Sequence, residues 1–309
     1  MRPVTASHPA MPAKSVLLYF DDESASATRL AQMAQLKMMR IERHRFPDGE
    51  IKLRLPDTLP AQAVMLRTLN NPNEKLLELL LAAQTARSLG ASQLTLVAPY
   101  LAYMRQDMAF HPGEAISQRI VGQFLAGLFD AVITVDPHLH RVATLQQAVP
   151  VADAIVLSGA PLLSDWIAAH RQQPLLIGPD EESAQWIAMA AARHGFDHAV
   201  CRKLRHGDRD VDVTLPKLSV ENRQVVLLDD VASTGHTVAH AAQLLLKAGA
   251  ASVDVAVTHA LFSDDAMALM QSAGVGEVCS TDCIAHPSNV VSMAGPIANA
   301  LTQRQENLS

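Results

Sequence analysis

The sequence predicts an α/β protein of two tandem domains, each a mostly parallel sheet flanked by helices. Short aliphatic runs alternate with helically spaced segments along the chain, and that order builds parallel sheets with helices on both faces. The strand-like runs are apolar at consecutive positions, as strands buried on both faces are. The chain has 309 residues, and domains commonly hold about 100–200.

Residues 1–15 mix Pro, Ala and Ser without an apolar segment, and read as a ragged tail rather than a signal peptide. Strands are expected over 15–20, 63–69, 93–99 and 131–136. Helices are expected over 25–37, 74–89 and 116–128, the second capped by Gly90. A long connection follows His138, and the domain boundary is set within 150–161. That gives a first domain of 15–158 and a second of 159–296. In the second, strands are expected over 174–178, 198–203, 224–230, 252–260 and 277–282, and helices over 184–194, 237–248 and 265–273. A last helix over 297–309 is expected to pack back against the first domain.

Composition narrows the function. The chain is 49% apolar, which excludes a disordered protein, and 4% aromatic, so its cores are aliphatic. A net charge of −6 argues against a nucleic-acid partner. No run of about 18 apolar residues exists, so no membrane span is expected. Cys201, Cys279 and Cys283 form no C-x-x-C pair, and they read as buried reduced thiols of a cytoplasmic protein.

Ligands of open parallel sheets bind outside the carboxyl ends of the strands. Polar motifs fall at those ends: Asp136 and His138, Asp180, Lys203–Arg205, Asp229 and Asp230, and Thr258 with His259. The most informative is Val225–Thr237, a hydrophobic strand ending in two acids, then a small-residue loop opening a helix. Asp229 and Asp230 can hold sugar hydroxyls, directly or through a metal. Backbone amides of Ser233, Thr234, Gly235, His236 and Thr237 can cradle a phosphate. An acidic strand end before an ordinary Ser/Thr helix cap is the plainer explanation. Two adjacent carboxylates repel each other and gain little structurally, so a phosphorylated pentose is favoured. His236 stands where a small residue would be expected, and its ring is read as facing solvent.

This segment resembles the phosphoribosyl-binding signature shared by type I phosphoribosyltransferases and ribose-phosphate pyrophosphokinases (PRPP synthetases). Other landmarks favour the synthetases: Arg45-Phe-Pro-Asp-Gly-Glu50, Asn71–Leu80, Val97–Asp107, Val135-Asp-Pro-His138, Thr258–Ser263 and Ser280–Asp282. The resemblance runs from about residue 15 to the end, and the short loop after Lys203 is closer to the archaeal type. It implies two phosphoribosyltransferase-like domains.

The resemblance also implies roles. Phe46, Asp48, Gly49 and Glu50 would hold the adenine of ATP, reaching into a neighbouring subunit and so implying self-association as a dimer or hexamer. Phe46 offers a ring to stack on a base and the two acids offer acceptors, but a bare Pro-Asp-Gly turn accounts for the same residues equally well. Arg105 and Gln106 would contact ATP, Arg being suited to bidentate phosphate binding. His138 and Asp180 would hold Mg²⁺, although Mg²⁺ prefers oxygen ligands; His140 is read as a bystander. Lys203 and Arg205 would close over the transferring phosphorus, where positive groups stabilise developing charge. A solvated charged loop explains that segment without chemistry.

Two departures stand out. Met108 replaces a basic residue usual after Arg-Gln-Asp. Glu181 and Glu182 stand where the family has small residues against pyrophosphate, and acids there repel a triphosphate unless a metal intervenes. The resemblance implies transfer of pyrophosphoryl from Mg-ATP to ribose 5-phosphate. Two alternatives are a synthetase-like regulatory subunit without turnover, motivated by the departures, and a phosphoribosyltransferase consuming PRPP, which leaves the Phe46 and Arg105 landmarks unexplained.

Overall fold

A computed structural model describes residues 15–205, 211–216 and 218–307, with backbone alone for 203–205 and 211–213. The first half opens with β1 (Ser15–Phe20), a 3-10 turn (Asp21–Glu23), α1 (Ser24–Ala34), β2 (Lys37–Arg45), β3 (Ile51–Arg54) and β4 (Gln62–Leu66). It continues through α2 (Pro72–Ser88), β5 (Gln93–Ala98), α3 (Ser117–Ala126), β6 (Ala131–Val135), α4 (Leu145–Ala148) and β7 (Asp153–Leu157). Its sheet runs β3-β2-β1-β4-β5-β6-β7, parallel except for the β2–β3 hairpin.

The second half holds α5 (Ala160–His170), β8 (Leu175–Gly178), α6 (Ala184–His194), β9 (His198–Val200), β10 (Arg202–Arg205), β11 (Val211–Thr214) and β12 (Gln224–Ala232). It ends with α7 (His236–Lys247), β13 (Ser252–Ala260), α8 (Ala266–Ser272), β14 (Val275–Thr281), β15 (Asn289–Val291) and α9 (Ala294–Asn307). A parallel sheet runs β15-β14-β13-β12-β8-β9, and β10 and β11 pair antiparallel beside it. The fold is thus the expected pair of mostly parallel sheets flanked by helices.

Several boundaries differ from the sequence reading. The first helix stops at Ala34, not 37, because Gln35 turns left-handed at φ 53° and Lys37 already pairs with Val16. The expected strand over 198–203 is two elements: β9 ends at Val200, the Cys201 amide donates to Gly178, and the chain leaves the sheet into β10. The hairpin β2–β3 and the edge strand β7 have no counterpart in the sequence reading. The hairpin strands are largely open to solvent and carry no long apolar run, whereas β7 is mostly half-buried and residues 154–157 of it are all apolar. Gly90 ends the second helix as expected: it sits at φ +111°, and an added Cβ would lie 3.1 Å from the Leu59 carbonyl oxygen.

Helix α9 returns to the first half. Ile297, Ala298 and Leu301 pack with Leu17, Ala27, Leu30, Val97 and Ile133. Arg304 pairs with Asp153 at 2.9 Å, and Gln305 donates to the Ser15 hydroxyl at 2.8 Å. All three cysteines are free and buried. Burial pushes the thiols of Cys201 up to about 11 and Cys279 up to about 12, which leaves both protonated and unreactive at neutral pH. No helix among the described residues is long and apolar enough to cross a membrane.

Candidate functional site

The carboxyl ends of β6, β8 and β12 face one another across the two halves. They enclose a cavity of about 300 Å³, lined by Arg105, His138, Asp180, Glu182 and residues 229–235, 237 and 238. A second cavity of about 630 Å³ adjoins it, lined by Arg105, Phe110, His138, His140, Arg141, Asp180, Glu181 and Glu182. Arg105, His138, Asp180 and Glu182 belong to both, so they form the wall between two neighbouring spaces.

The smaller cavity is built by β12 and the loop after it. The strand's apolar residues Val225–Leu228 are buried between β8 and β13, which anchors the acids that follow. The Asp230 amide bonds the Asp229 carboxylate at 3.0 Å. Burial, then the charges of Asp230 and Asp180, push the Asp229 carboxyl well above its usual range. Gly235 sits at φ +76°, where an added Cβ would lie 3.2 Å from the Ala266 carbonyl oxygen. The Ser263 amide bonds the Ser233 carbonyl at 3.0 Å, bracing the loop. Helix α7 begins at His236, and the first amides of a helix have no intrahelical acceptor. A phosphate at this loop would meet those donors and the positive end of the helix dipole.

The dividing wall comes from both halves. His138 Nδ1 lies 2.7 Å from Asp230 Oδ2, so the ring donates from Nδ1 and its Nε2 lone pair points away, toward Glu182 Oε2 at 4.0 Å. Burial depresses the His138 basicity, but the Asp230 hydrogen bond and charge outweigh it, leaving its pKa raised. Asp180 caps the 3-10 turn Glu181–Ser183 by accepting from the Glu182 amide at 3.1 Å. The two glutamates therefore open the turn that leads into α6, a position that favours acids. Glu181 faces Arg202 at 3.8 Å.

Four carboxylates, from Asp180, Glu182, Asp229 and Asp230, stand here against the Arg105 guanidinium and the His138 ring. A bound cation would relieve the like-charge crowding that raises Asp229, so this donor set fits a divalent metal.

Below the site, Asp136 adopts φ 36°. Its Oδ2 accepts from the Gly159 amide at 2.9 Å and the Thr258 hydroxyl at 2.7 Å. His259 Nε2 donates to the Val135 carbonyl at 2.9 Å. These buried bonds fix the two sheets in register. The sequence reading named Asp136, Thr258 and His259 at strand ends but not this role; an acid directly after a buried strand was the available signal.

Of the expected site residues, Arg105, His138, Asp180, Asp229, Asp230, Ser233, Thr234, Gly235 and Thr237 gather here. Gln106 does not line either cavity; its side chain accepts from the Ser117 hydroxyl at 3.0 Å at the start of α3. His236 is exposed, as read from the sequence. Phe46, Asp48, Gly49 and Glu50 cap the β2–β3 hairpin and are absent from both linings. Lys203 and Arg205 lie on β10, and their side chains fall outside the described residues, as do residues 206–210 of the segment after them. His140, read as a bystander, stacks edge-on against His138 with ring centroids 4.2 Å apart and has Nε2 3.7 Å from Glu182. Glu182, noticed only as a departure, lines both cavities.

The model of the N-terminal domain of ribose phosphate pyrophosphokinase matches residues 16–128, and that of the phosphoribosyl transferase domain matches residues 153–276. A ribose-phosphate pyrophosphokinase of Methanopyrus kandleri is 34% identical over 91% of this chain and 95% of its own. Ribose-phosphate pyrophosphokinase 1 of Archaeoglobus fulgidus is 34% identical over 93% of this chain and 100% of its own. The crystal structure of phosphoribosylpyrophosphate synthetase from Mycobacterium smegmatis superposes with a TM-score of 0.82 at 25% identity, covering 96% of this chain and 100% of that one. With both halves matched in order and the similarity spanning nearly the full length, the chain belongs to the ribose-phosphate pyrophosphokinase family.

Proposed function

We propose that this protein is a ribose-phosphate diphosphokinase, moving the pyrophosphoryl group of ATP onto the 1-hydroxyl of ribose 5-phosphate to give PRPP and AMP. The observation that carries this reading is the wall shared by two adjoining cavities, formed by Arg105, His138, Asp180 and Glu182. A two-substrate transfer needs two spaces meeting where the bond is made.

The smaller cavity takes ribose 5-phosphate. Its phosphate sits on the amides of residues 233–237, and its ring hydroxyls turn to Asp229 and Asp230. The larger cavity takes the ATP polyphosphate, with Arg105 on its oxygens. The 1-hydroxyl oxygen attacks the β-phosphorus in line. The bond from that phosphorus to the α–β bridging oxygen breaks, AMP leaves with that oxygen, and the hydroxyl proton passes to solvent or a nearby carboxylate. His138 and Asp180, with the acid pair, would hold Mg²⁺, which when bound neutralises phosphate charge and orients the oxygens. Lys203 and Arg205, on β10 and directly after Cys201 and Arg202, are the candidates to stabilise the charge on the transferring group.

The Phe46–Glu50 tip contributes to ATP in a neighbouring copy, so the active form is a homo-oligomer. Phe46 is 39% exposed at that tip, which supports this reading. The domain division falls at 158/159, after β7 completes the first sheet and before α5 begins. Measuring AMP release with ribose 5-phosphate and Mg-ATP, in wild type and Lys203→Ala, tests the whole reading. Rapid AMP release that falls at least about 100-fold in the variant is expected. No AMP from wild type would sink the function, and equal rates would sink the role of Lys203.

A further inference from the structure

We infer that His138, His140 and Glu182 form a binding site for a transition-metal dication of the Mn²⁺, Co²⁺ or Zn²⁺ kind, which shares His138 with the Mg²⁺ set proposed above and adds His140 and Glu182 as this chain's own ligands. The three side chains present donor atoms that all lie within 4.8 Å of one another. His138 Nε2 is 4.0 Å and His140 Nε2 is 3.7 Å from the same oxygen, Glu182 Oε2. Tetrahedral bonds of about 2.0–2.1 Å need donors about 3.3 Å apart, so closure by roughly half an ångström brings both histidines into range of Glu182, and the two ring nitrogens, already within 4.8 Å of one another, need to close by no more than about 1.5 Å.

Closure is cheap here. The Glu182 side chain is 56% exposed and that of His140 is 30% exposed, and neither is wedged in a core. His138 is held differently. Its Nδ1 donates to buried Asp230, so its Nε2 lone pair is committed outward. A carboxylate orienting a histidine whose other nitrogen meets a metal is the arrangement that fixes the tautomer and raises ligand basicity.

The donor set selects the metal. Two imidazoles and one carboxylate suit borderline dications, whereas Mg²⁺ demands oxygen and retains its waters. The site also answers the charge problem of this chain. Glu181 has Arg202 beside it, but Glu182 faces both cavities and would repel a polyphosphate. A dication bound there reverses that local charge and leaves coordination positions open toward the larger cavity, whose lining includes all three residues. The inference rests on the pyrophosphokinase reading only for the use of the metal; binding itself follows from the three side chains.

The test is titration of the untagged, metal-free full-length protein with Co²⁺, read by its visible d–d absorption, and with Zn²⁺ in competition. One equivalent of Co²⁺ is expected, displaced by Zn²⁺ and not by Mg²⁺ in hundredfold excess. His140→Ala and Glu182→Gln should each weaken Co²⁺ at least about tenfold, with melting temperatures unchanged because both side chains are exposed. Absence of a saturable Co²⁺ spectrum, or wild-type Co²⁺ affinity in both variants, overturns the site. AMP release in Mg²⁺ separates the two claims: turnover without a Co²⁺ site sinks this inference alone, and a Co²⁺ site without turnover sinks the proposed function alone.

Discussion

His138 Nδ1 and Asp230 Oδ2 lie 2.7 Å apart although 92 positions separate them in sequence. The pair joins the segment after β6 to the end of β12, and so couples the wall between the cavities to the acid pair. Replacing Asp230 by Asn keeps the shape but removes the charge that orients the imidazole. Asp230→Asn should lower kcat by about 10–100-fold while the far-ultraviolet circular dichroism stays as in wild type. Steady-state AMP release checks this; an unchanged kcat refutes the coupling.

Gly235 is needed for its backbone. With φ +76° and a Cβ position 3.2 Å from the Ala266 carbonyl oxygen, alanine is strained at both dihedral and contact. Gly235→Ala should lose more than about 1 kcal/mol of stability. It should also raise the KM for ribose 5-phosphate more than that for ATP. Urea unfolding and two substrate titrations read the two effects; a selective rise for ATP contradicts the assignment of the loop.

Asp136 is a structural acid. Asp136→Ala strips acceptors from the buried Gly159 amide and the Thr258 hydroxyl at once. Two buried donors left unpaired cost about 2–4 kcal/mol. Chemical denaturation should show that loss, and a variant as stable as wild type would exclude the role of Asp136 in holding the sheets together.

Glu23 makes stability depend on pH. Burial, opposed by Arg67 and the Thr68 amide, raises its pKa from 4.5 to about 7. An acid whose pKa is higher folded than unfolded favours folding when protonated. The folded state is therefore stabilised below about pH 4.5, and that advantage is lost as pH rises through about 7, amounting to on the order of 3 kcal/mol. Glu23→Gln keeps an acceptor for the Thr68 amide, which bonds Oε1 at 2.6 Å. Melting curves from pH 5 to pH 8 should fall for wild type relative to this variant; parallel curves would mean that Glu23 ionises normally.

The elements legible in the sequence were those whose residues meet their neighbours on every side. The runs at 15–20, 93–98 and 252–260 are buried at nearly every position and mostly apolar, because helices cover both faces of the sheet. The β2–β3 hairpin escaped because edge strands open to solvent need no apolar pattern. In the site, the acid pair and its glycine loop were legible because a short contiguous segment supplies both the carboxylates and the turn proposed for the phosphate. The surroundings of Gln106 were not legible for the opposite reason: its partner Ser117 is brought to it only by the start of α3.

The sequence by itself determined the alternation of strands and helices, the family, and the loop from Asp229 to Thr237, since each depends on contacts between residues near one another in the chain. Only the tertiary structure decided what stands across from that loop. It set His138 on Asp230, brought His140 and Glu182 to the same wall, and made Asp136 a brace between sheets. Those pairings join positions tens of residues apart or more, and their geometry exists only once the two sheets have packed with the carboxyl ends of their strands facing one another.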